Sequence, residues 1–342
     1  MSHSVVLIPG DGIGPEVTEA VTRILSAARA DIDWVQRQAG LAALDGGEDS
    51  VLPDSTVNGI VEHGVALKGP CTTPIGGGFS SINVALRKKL NLYGAVRPIR
   101  SLQGVPTRYD NVDLIVVREN TEGLYSGIEN VITEGVITSL KVATQVACQR
   151  IAKFAFEYAA SRGRKKITAF HKANIMKLSD GLFIRCARTV HEEDFPQIEY
   201  EEQIIDAGCM RLVQDPGQFD VILCENLYGD VISDLCAGFV GGLGVTPGAN
   251  FGEGRAVFEA VHGTAPDIAG NDLANPLALL MSAVMLLNYL AASRNDATAK
   301  QAADRIRNAY NACLLAGEKT HDLGGNLGTR AFADAVIARL NA

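Results

Sequence analysis

Val5-Val6-Leu7-Ile8-Pro9-Gly10-Asp11-Gly12-Ile13-Gly14-Pro15-Glu16 sets the fold class of this chain. Four apolar, β-prone residues run into a glycine-rich turn. A proline then stands in the first turn of a helix, where its missing N–H costs nothing. A strand that feeds a helix through a tight turn opens an α/β unit.

Outward from that stretch the alternation continues. Residues 34–38 and Val65–Lys68 read as strands, and 53–62 as a helix between them. Strands follow near 92–96 and 114–117. Residues 124–138, broken by Gly127 and Gly135, read as a hairpin arm. A helix over 142–161 precedes strands at 167–170, 198–205 and Val221–Cys224. Residues 230–243 are apolar almost all round, so that helix is expected to be buried, in part at a subunit interface. The stretch 262–276, rich in Gly, Pro, Asp and Asn, is irregular. Helices close the chain. The opening turn is not an ordinary Rossmann site, because G-x-G-x-x-G needs glycine at 15 and proline stands there. It can still line a ligand cleft.

The bulk numbers bound the function. A length of 342 residues suggests about two domains. A hydrophobic share of 47% against 20% charged allows a sizeable core, packed mostly by Val, Ile, Leu and Ala, since aromatics are 6%. A net charge of -8 argues against nucleic-acid and membrane-surface partners. It also makes any cationic pocket stand out. Seven scattered cysteines, with no C-x-x-C pair, read as reduced thiols of a cytoplasmic protein. Residues 5–8 are too few for a signal or membrane segment. Residues 279–290, interrupted by Ser282 and Asn288, read as a core helix. No repeat or low-complexity linker is visible.

Three constellations carry chemistry. First, Ser81-Ile82-Asn83-Val84-Ala85-Leu86-Arg87 follows Lys68-Gly69-Pro70 and a Gly76-Gly77-Gly78 turn. It should open a helix whose N-terminus favours an anion. Asn83 and Arg87 share a face. With Arg97 and Arg118, each ending an apolar stretch, Arg87 suggests a pocket for a ligand bearing several carboxylates. Second, Asp230 and Asp234 are one helical turn apart and can share a hard divalent cation; Asp206 is a third candidate. Capping and solvation are the alternative roles for this pair. Third, Tyr125 and Lys172 are candidates for proton transfer, since a lysine ending an apolar strand can be tuned by desolvation. Either can equally be a packing or surface group. His171 and His262 lack zinc spacing.

Together these residues resemble the β-decarboxylating dehydrogenases of isocitrate, isopropylmalate, homoisocitrate and tartrate. The likeness runs nearly end to end, through Gly10 to Glu16, Leu86-Arg87, Arg97-Pro98, Arg118-Glu119-Asn120-Thr121-Glu122, Gly229-Asp230 to Asp234, and His262-Gly263-Thr264-Ala265-Pro266. The resemblance implies a two-domain α/β fold distinct from the ordinary Rossmann fold. Residues 1–95 and 245–342 would form a large cofactor domain. Residues 96–244 would form a small domain with the arm and dimer interface. It implies that Arg87, Arg97 and Arg118 hold substrate carboxylates. Asp230 and Asp234, with Asp206 of a second subunit, would hold Mg²⁺ or Mn²⁺. Lys172 of that subunit would help remove the hydroxyl proton, and Tyr125 would return a proton to carbon. A homodimer with shared active sites, or a higher oligomer of it, follows.

Ser81 and Asn83 resemble the isocitrate pattern, where polar groups meet the γ-carboxylate. An isopropyl group there would leave them unpaired. The implied reaction is therefore oxidative decarboxylation of isocitrate to 2-oxoglutarate, with homoisocitrate or 3-isopropylmalate as alternatives. Some related chains are non-catalytic regulatory subunits, but the complete catalytic set here favours an enzyme. For the cofactor, Asp267-Ile268 stands where NADP-preferring relatives have Lys-Tyr. A carboxylate accepts bonds from ribose hydroxyls and repels a 2′-phosphate. His321 and Gly325 stand where the bacterial NADP pattern has tyrosine and arginine. The implied cofactor is NAD, lined by Thr73, Glu259, His262, Gly263, Thr264, Ala265, Asp267, Ile268 and Asn275.

Overall fold

A computed structural model describes residues 2–74 and 79–340; the Gly76-Gly77-Gly78 turn lies outside the described residues. In chain order the elements begin β1 (His3–Ile8), α1 (Gly14–Ala27), β2 (Ile32–Gln36), α2 (Leu41–Asp45), α3 (Asp54–His63), β3 (Val65–Lys68) and α4 (Ile82–Lys89). They continue β4 (Gly94–Arg100), β5 (Asp113–Glu119), β6 (Glu129–Thr133), β7 (Val136–Ser139), α5 (Gln145–Ser161), β8 (Lys166–His171), α6 (Ser179–Asp194) and β9 (Glu199–Ile204). They end α7 (Ile205–Gln214), β10 (Val221–Cys224), α8 (Asn226–Val240), β11 (Pro247–Gly252), β12 (Arg255–Ala260), α9 (Leu277–Arg294), α10 (Ala297–Leu315) and α11 (Thr329–Leu340).

The chain folds as two compact units. The first joins Met1–Leu90, Ser101–Arg108 and Val240–Ala342; the second joins Asn91–Arg100 and Tyr109–Phe239. These limits differ from those expected at 95/96 and 244/245. All of β4 pairs antiparallel with β5, so the whole strand goes with the second unit. Residues 101–108 return to the first, where Gly104 lies against the Leu314 carbonyl.

In the first unit the strand order is β2-β1-β3-β12-β11. Its neighbours run parallel except the antiparallel β11/β12 pair. The inner strands β1 and β3 are nearly uninterrupted apolar runs, as strands covered on both faces must be. Helix α9 is long and apolar enough to cross a membrane, by length and composition. It is instead a core helix: Leu277, Leu280, Ala283, Leu287 and Leu290 are fully buried, and it packs on β11 and β12. The opening turn is held by backbone, with Asp11 N–H donating to Pro70 O and Ile13 N–H to Thr264 O. The Asp11 carboxylate accepts from Ala42 and Thr72 N–H. This turn therefore abuts the 262–266 loop, and its groups are spent on protein partners.

In the second unit the order is β4-β5-β10-β8-β9, parallel beyond the β4/β5 pair. The arm is a separate antiparallel β6/β7 hairpin. Its Val131, Ile132 and Ile137 are more than three-fifths exposed. Helix α8 starts at Asn226, four residues before the expected start, and leaves Val231 exposed on its outer face.

Candidate active site

The first unit contributes a buried cationic cluster. Ser81 caps α4, accepting from Val84 N–H, and its hydroxyl also accepts from Thr73. Further along the helix, Arg87 is 8% exposed. Its Nη2 donates to Glu259 Oε1 (3.0 Å). Lys68 Nζ meets Glu259 Oε2 (2.8 Å), and Asn250 also donates to Oε1. Register explains the meeting: Lys68 and Glu259 are paired positions of β3 and β12, and Asn250 lies diagonally across on β11. Burial alone would raise the Glu259 carboxyl, but Lys68 and Arg87 hold it well below the usual carboxylate range. Arg87 Nε and Asn83 Oδ1 stay buried without a hydrogen-bond partner among the described residues. Two cations against one carboxylate leave a buried positive charge beside unused polar groups. Such a cluster fits an incoming carboxylate.

Glu259 departs from its expected place. It is enclosed by Lys68, Arg87 and Asn250 rather than open to a cofactor. Lys68 has no role legible in the sequence, because only the β3/β12 register brings it there.

Further cofactor candidates lie on loops of the same unit. His262 donates from Nδ1 to Gly263 O, burial pushes its ring below the ordinary value, and its buried Nε2 is free to accept. Ala265 is left-handed (φ 37°), turning the chain so that Asp267 is exposed in the short 266–268 turn. Thr264 is half-buried and Gly263 exposed, while Ile268 is half-buried beside Asp267. Asn275 is oriented by Asp322, to which it donates (2.9 Å). At Gly325 a Cβ would stand 1.9 Å from Lys319 O, so no side chain fits there. The arginine of the NADP pattern is excluded by backbone geometry. An exposed carboxylate with small neighbours fits a dinucleotide without a 2′-phosphate.

The second unit holds a charged cluster of its own. Arg97 and Arg118 project from one face of the β4/β5 pair, diagonally across the ladder. Arg118 is 1% exposed. Its Nε and Nη2 donate to Asn226 Oδ1 (3.1 and 2.7 Å), and Nη1 donates to Asp230 Oδ1. The Tyr125 hydroxyl donates to Asp230 Oδ2, and its ring lies 4.9 Å from the Arg118 guanidinium. Arg97 Nη1 is 3.7 Å from Asp234 Oδ1. Gly229 makes this possible, since a Cβ there would be 2.5 Å from Arg118 Cγ. Burial raises Asp234, and the charge of Asp230 adds to it, against the opposing pull of Arg97. Burial and the bond to Asp230 raise Tyr125, keeping the phenol protonated. Two neighbouring carboxylates, partly open to solvent, are of the chemical type that could hold a hard divalent cation.

Lys172 and Asp206 form their own pair. Lys172 follows β8, Asp206 opens α7, and Nζ meets Oδ1 at 2.7 Å. That bond, with the N–H groups of the helix start, pulls Asp206 below its ordinary value. Among the described residues, no three His, Cys, Asp or Glu side chains gather to hold a metal. Asp206 thus stands apart from Asp230 and Asp234 within one chain. Lys172 is about a quarter exposed and ion-paired, so desolvation is not what distinguishes it.

A two-unit α/β enzyme class, with a buried cationic cluster in one unit and an arginine–aspartate cluster in the other, is what this fold and these residues define. The isocitrate/isopropylmalate dehydrogenase profile matches residues 4–336, and the chain belongs to that family. A regulatory chain of NAD isocitrate dehydrogenase from Dictyostelium discoideum is 49% identical over 99% of this chain and 92% of its own. A catalytic chain of NAD isocitrate dehydrogenase from Arabidopsis thaliana is 49% identical over 98% of this chain and 87% of its own. The crystal structure of isocitrate dehydrogenase from Methylococcus capsulatus superimposes with a TM-score of 0.93 at 42% identity. The match covers 99% of this chain and 100% of that one.

Proposed function

We propose that the chain is an NAD-dependent isocitrate dehydrogenase that converts isocitrate to 2-oxoglutarate and CO₂. The observation that carries this is the cluster on α8. There Arg97, Arg118 and Tyr125 meet Asp230 and Asp234, so anion-binding cations, a proton donor and two hard oxygen ligands share one place. The names of the relatives point the same way.

In this reading Arg97, Arg118 and Arg87 bind the carboxylates and fix the acid's orientation. Ser81 and Asn83, at the start of α4, receive the γ-carboxylate. Asp230 and Asp234 would hold Mg²⁺ or Mn²⁺, which supplies Lewis-acid stabilisation of charge on the C2 oxygen. Thr73, His262, Gly263, Thr264, Ala265, Asp267, Ile268 and Asn275 would hold NAD, the hydride acceptor. Lys172 would take part in removing the hydroxyl proton. The Tyr125 hydroxyl, protonated at neutral pH, gives a proton to the carbon that CO₂ leaves.

Lys172 and Asp206 are taken to serve the site of a second copy, because in this chain they face one another rather than Asp230. The exposed apolar arm and Val231 on α8 offer the surface that such a copy covers. Some relatives are named as parts of assemblies, one of them regulatory. The complete residue set here supports self-sufficient catalysis. Seven free thiols suit a reducing compartment such as the cytoplasm.

The test is the purified chain alone, with isocitrate, NAD⁺ and Mn²⁺, assayed for NADH and 2-oxoglutarate while its mass in solution is measured. Turnover by a species of two or more copies is expected. Isocitrate binding without NADH formation would instead favour the regulatory reading.

A further inference from the structure

Lys172 is placed by buried groups that the reaction does not touch. Its N–H donates to Asp180 Oδ2 (2.7 Å), and the next N–H, of Ala173, donates to His171 Nδ1 (3.0 Å). Asp180 lies in the first turn of α6 and is 2% exposed. A carboxylate there would ordinarily cap its own helix. Here the helix start has no side-chain cap hydrogen bond, and the carboxylate accepts from the Lys172 N–H instead. Its second oxygen accepts from Lys141 Nζ at 2.6 Å. Lys141 follows the β6/β7 hairpin, approaches Glu225 Oε2 (3.6 Å), and sits 4.6 Å over the Tyr228 ring. One carboxylate therefore fixes the Lys172 turn, and Lys141 holds that carboxylate together with the Ser179 and Tyr228 hydroxyls.

A structural ion pair needs no bond to the backbone of the residue that does the chemistry. This one makes that bond, and makes it short. The turn presents Lys172 Nζ beyond the strand end, so a shift of its N–H moves the ammonium group by a comparable distance. The pair is shielded from water, so salt and solvent compete weakly for it.

We propose that Asp180, held by Lys141, is a positioning residue that aims Lys172 for proton transfer. This rests on the reading of Lys172 as a group that takes part in removing the hydroxyl proton, and it names what sets that group's place. Asp180 and Lys141 contact neither substrate nor cofactor in it.

The experiment uses the full chain with isocitrate, NAD⁺ and Mn²⁺, comparing wild type with Asp180→Ala, Lys141→Met and Lys141→Arg. In Asp180→Ala, kcat is expected to fall about 100-fold, the scale of a misplacement near 1 Å. The KM values for isocitrate and NAD⁺ stay within about 3-fold, as for an effect confined to chemistry. In single-turnover NADH formation the rate constant falls while the amplitude is kept. Lys141→Met moves in the same direction, and Lys141→Arg restores most of the rate. A smaller amplitude at an unchanged rate constant would mean only fewer folded sites, and would overturn the proposal. So would unchanged kcat in Asp180→Ala and Lys141→Met. If Asp180→Ala does not fold, the two Lys141 variants decide by the same readings. A wild-type chain that turns over no isocitrate would overturn the functional reading itself, and this proposal with it.

Discussion

The two charged clusters solve opposite problems. Around Glu259 the charges are closed: a carboxylate 6% exposed is met by Lys68, Arg87 and Asn250. Around Asp230 they are half open: the Asp230 and Asp234 side chains are 35% and 54% exposed, and partial burial, with the charge of Asp230 adding to it, makes Asp234 harder to ionise. The closed cluster has an excess of positive charge and waits for an anion. The open cluster pairs its arginines with acids that remain partly exposed. The two clusters belong to different units of the chain, and each is held by its own partners.

The comparison breaks most visibly at Arg118, the most buried guanidinium of the set. Arg118→Met removes the guanidinium bonds to Asn226 and Asp230, and the loss of kcat/KM for isocitrate should reach about 1,000-fold, as for a desolvated charge partner. Steady-state kinetics check it.

Glu259→Gln breaks the closed cluster and leaves Lys68 and Arg87 facing each other unneutralised. The cost in unfolding free energy at pH 7 should be about 3 kcal/mol. The sign of its pH dependence follows from the depressed carboxyl of the folded chain. The unfolded glutamate titrates near 4.5, and the folded one lies far below. The stabilisation is thus fully present above about pH 4.5 and declines as pH falls through and below that value. Denaturant unfolding of wild type and variant should converge on acidification; a gap that widens below pH 4.5 would contradict the pairing.

The open cluster is probed by Asp234→Asn. The apparent affinity for Mn²⁺ should drop by at least about 10-fold, with less change in folding stability. Isothermal titration with the metal separates the two. The smallest effect is expected at the cofactor loop. Asp267→Lys with Ile268→Tyr should move the NAD⁺/NADP⁺ preference toward NADP⁺ by a factor of about 10. It should not invert it, because Gly325 bars the further arginine; comparing kcat/KM for the two cofactors checks this.

How much of this was legible follows from which facts are local. Val65–Lys68 and Val221–Cys224 end where the sequence says, because each is an apolar run closed by a charge or a glycine turn. The arm was legible from Gly127 and Gly135. Strand β11, Pro247-Gly248-Ala249-Asn250-Phe251-Gly252, was not: its composition reads as a turn, and its pairing with β12 supplies the order. The first turn of α8 was hidden by Gly229, a poor helix former that is there to admit Arg118. The arginines and aspartates of the site were legible from their spacing and from the family likeness. Lys68, Asn250, Asp180 and Lys141 were not, since each acts through a partner brought near by sheet register or tertiary packing.

The most direct measurement is kcat/KM for isocitrate, homoisocitrate and 3-isopropylmalate with NAD⁺ and Mn²⁺ on the same preparation. If Ser81 and Asn83 receive the γ-carboxylate as proposed, isocitrate should rank first, with 3-isopropylmalate slower by at least about 100-fold, since its isopropyl leaves those polar groups unmet. A preference for 3-isopropylmalate would contradict the polycarboxylate pocket at its foundation.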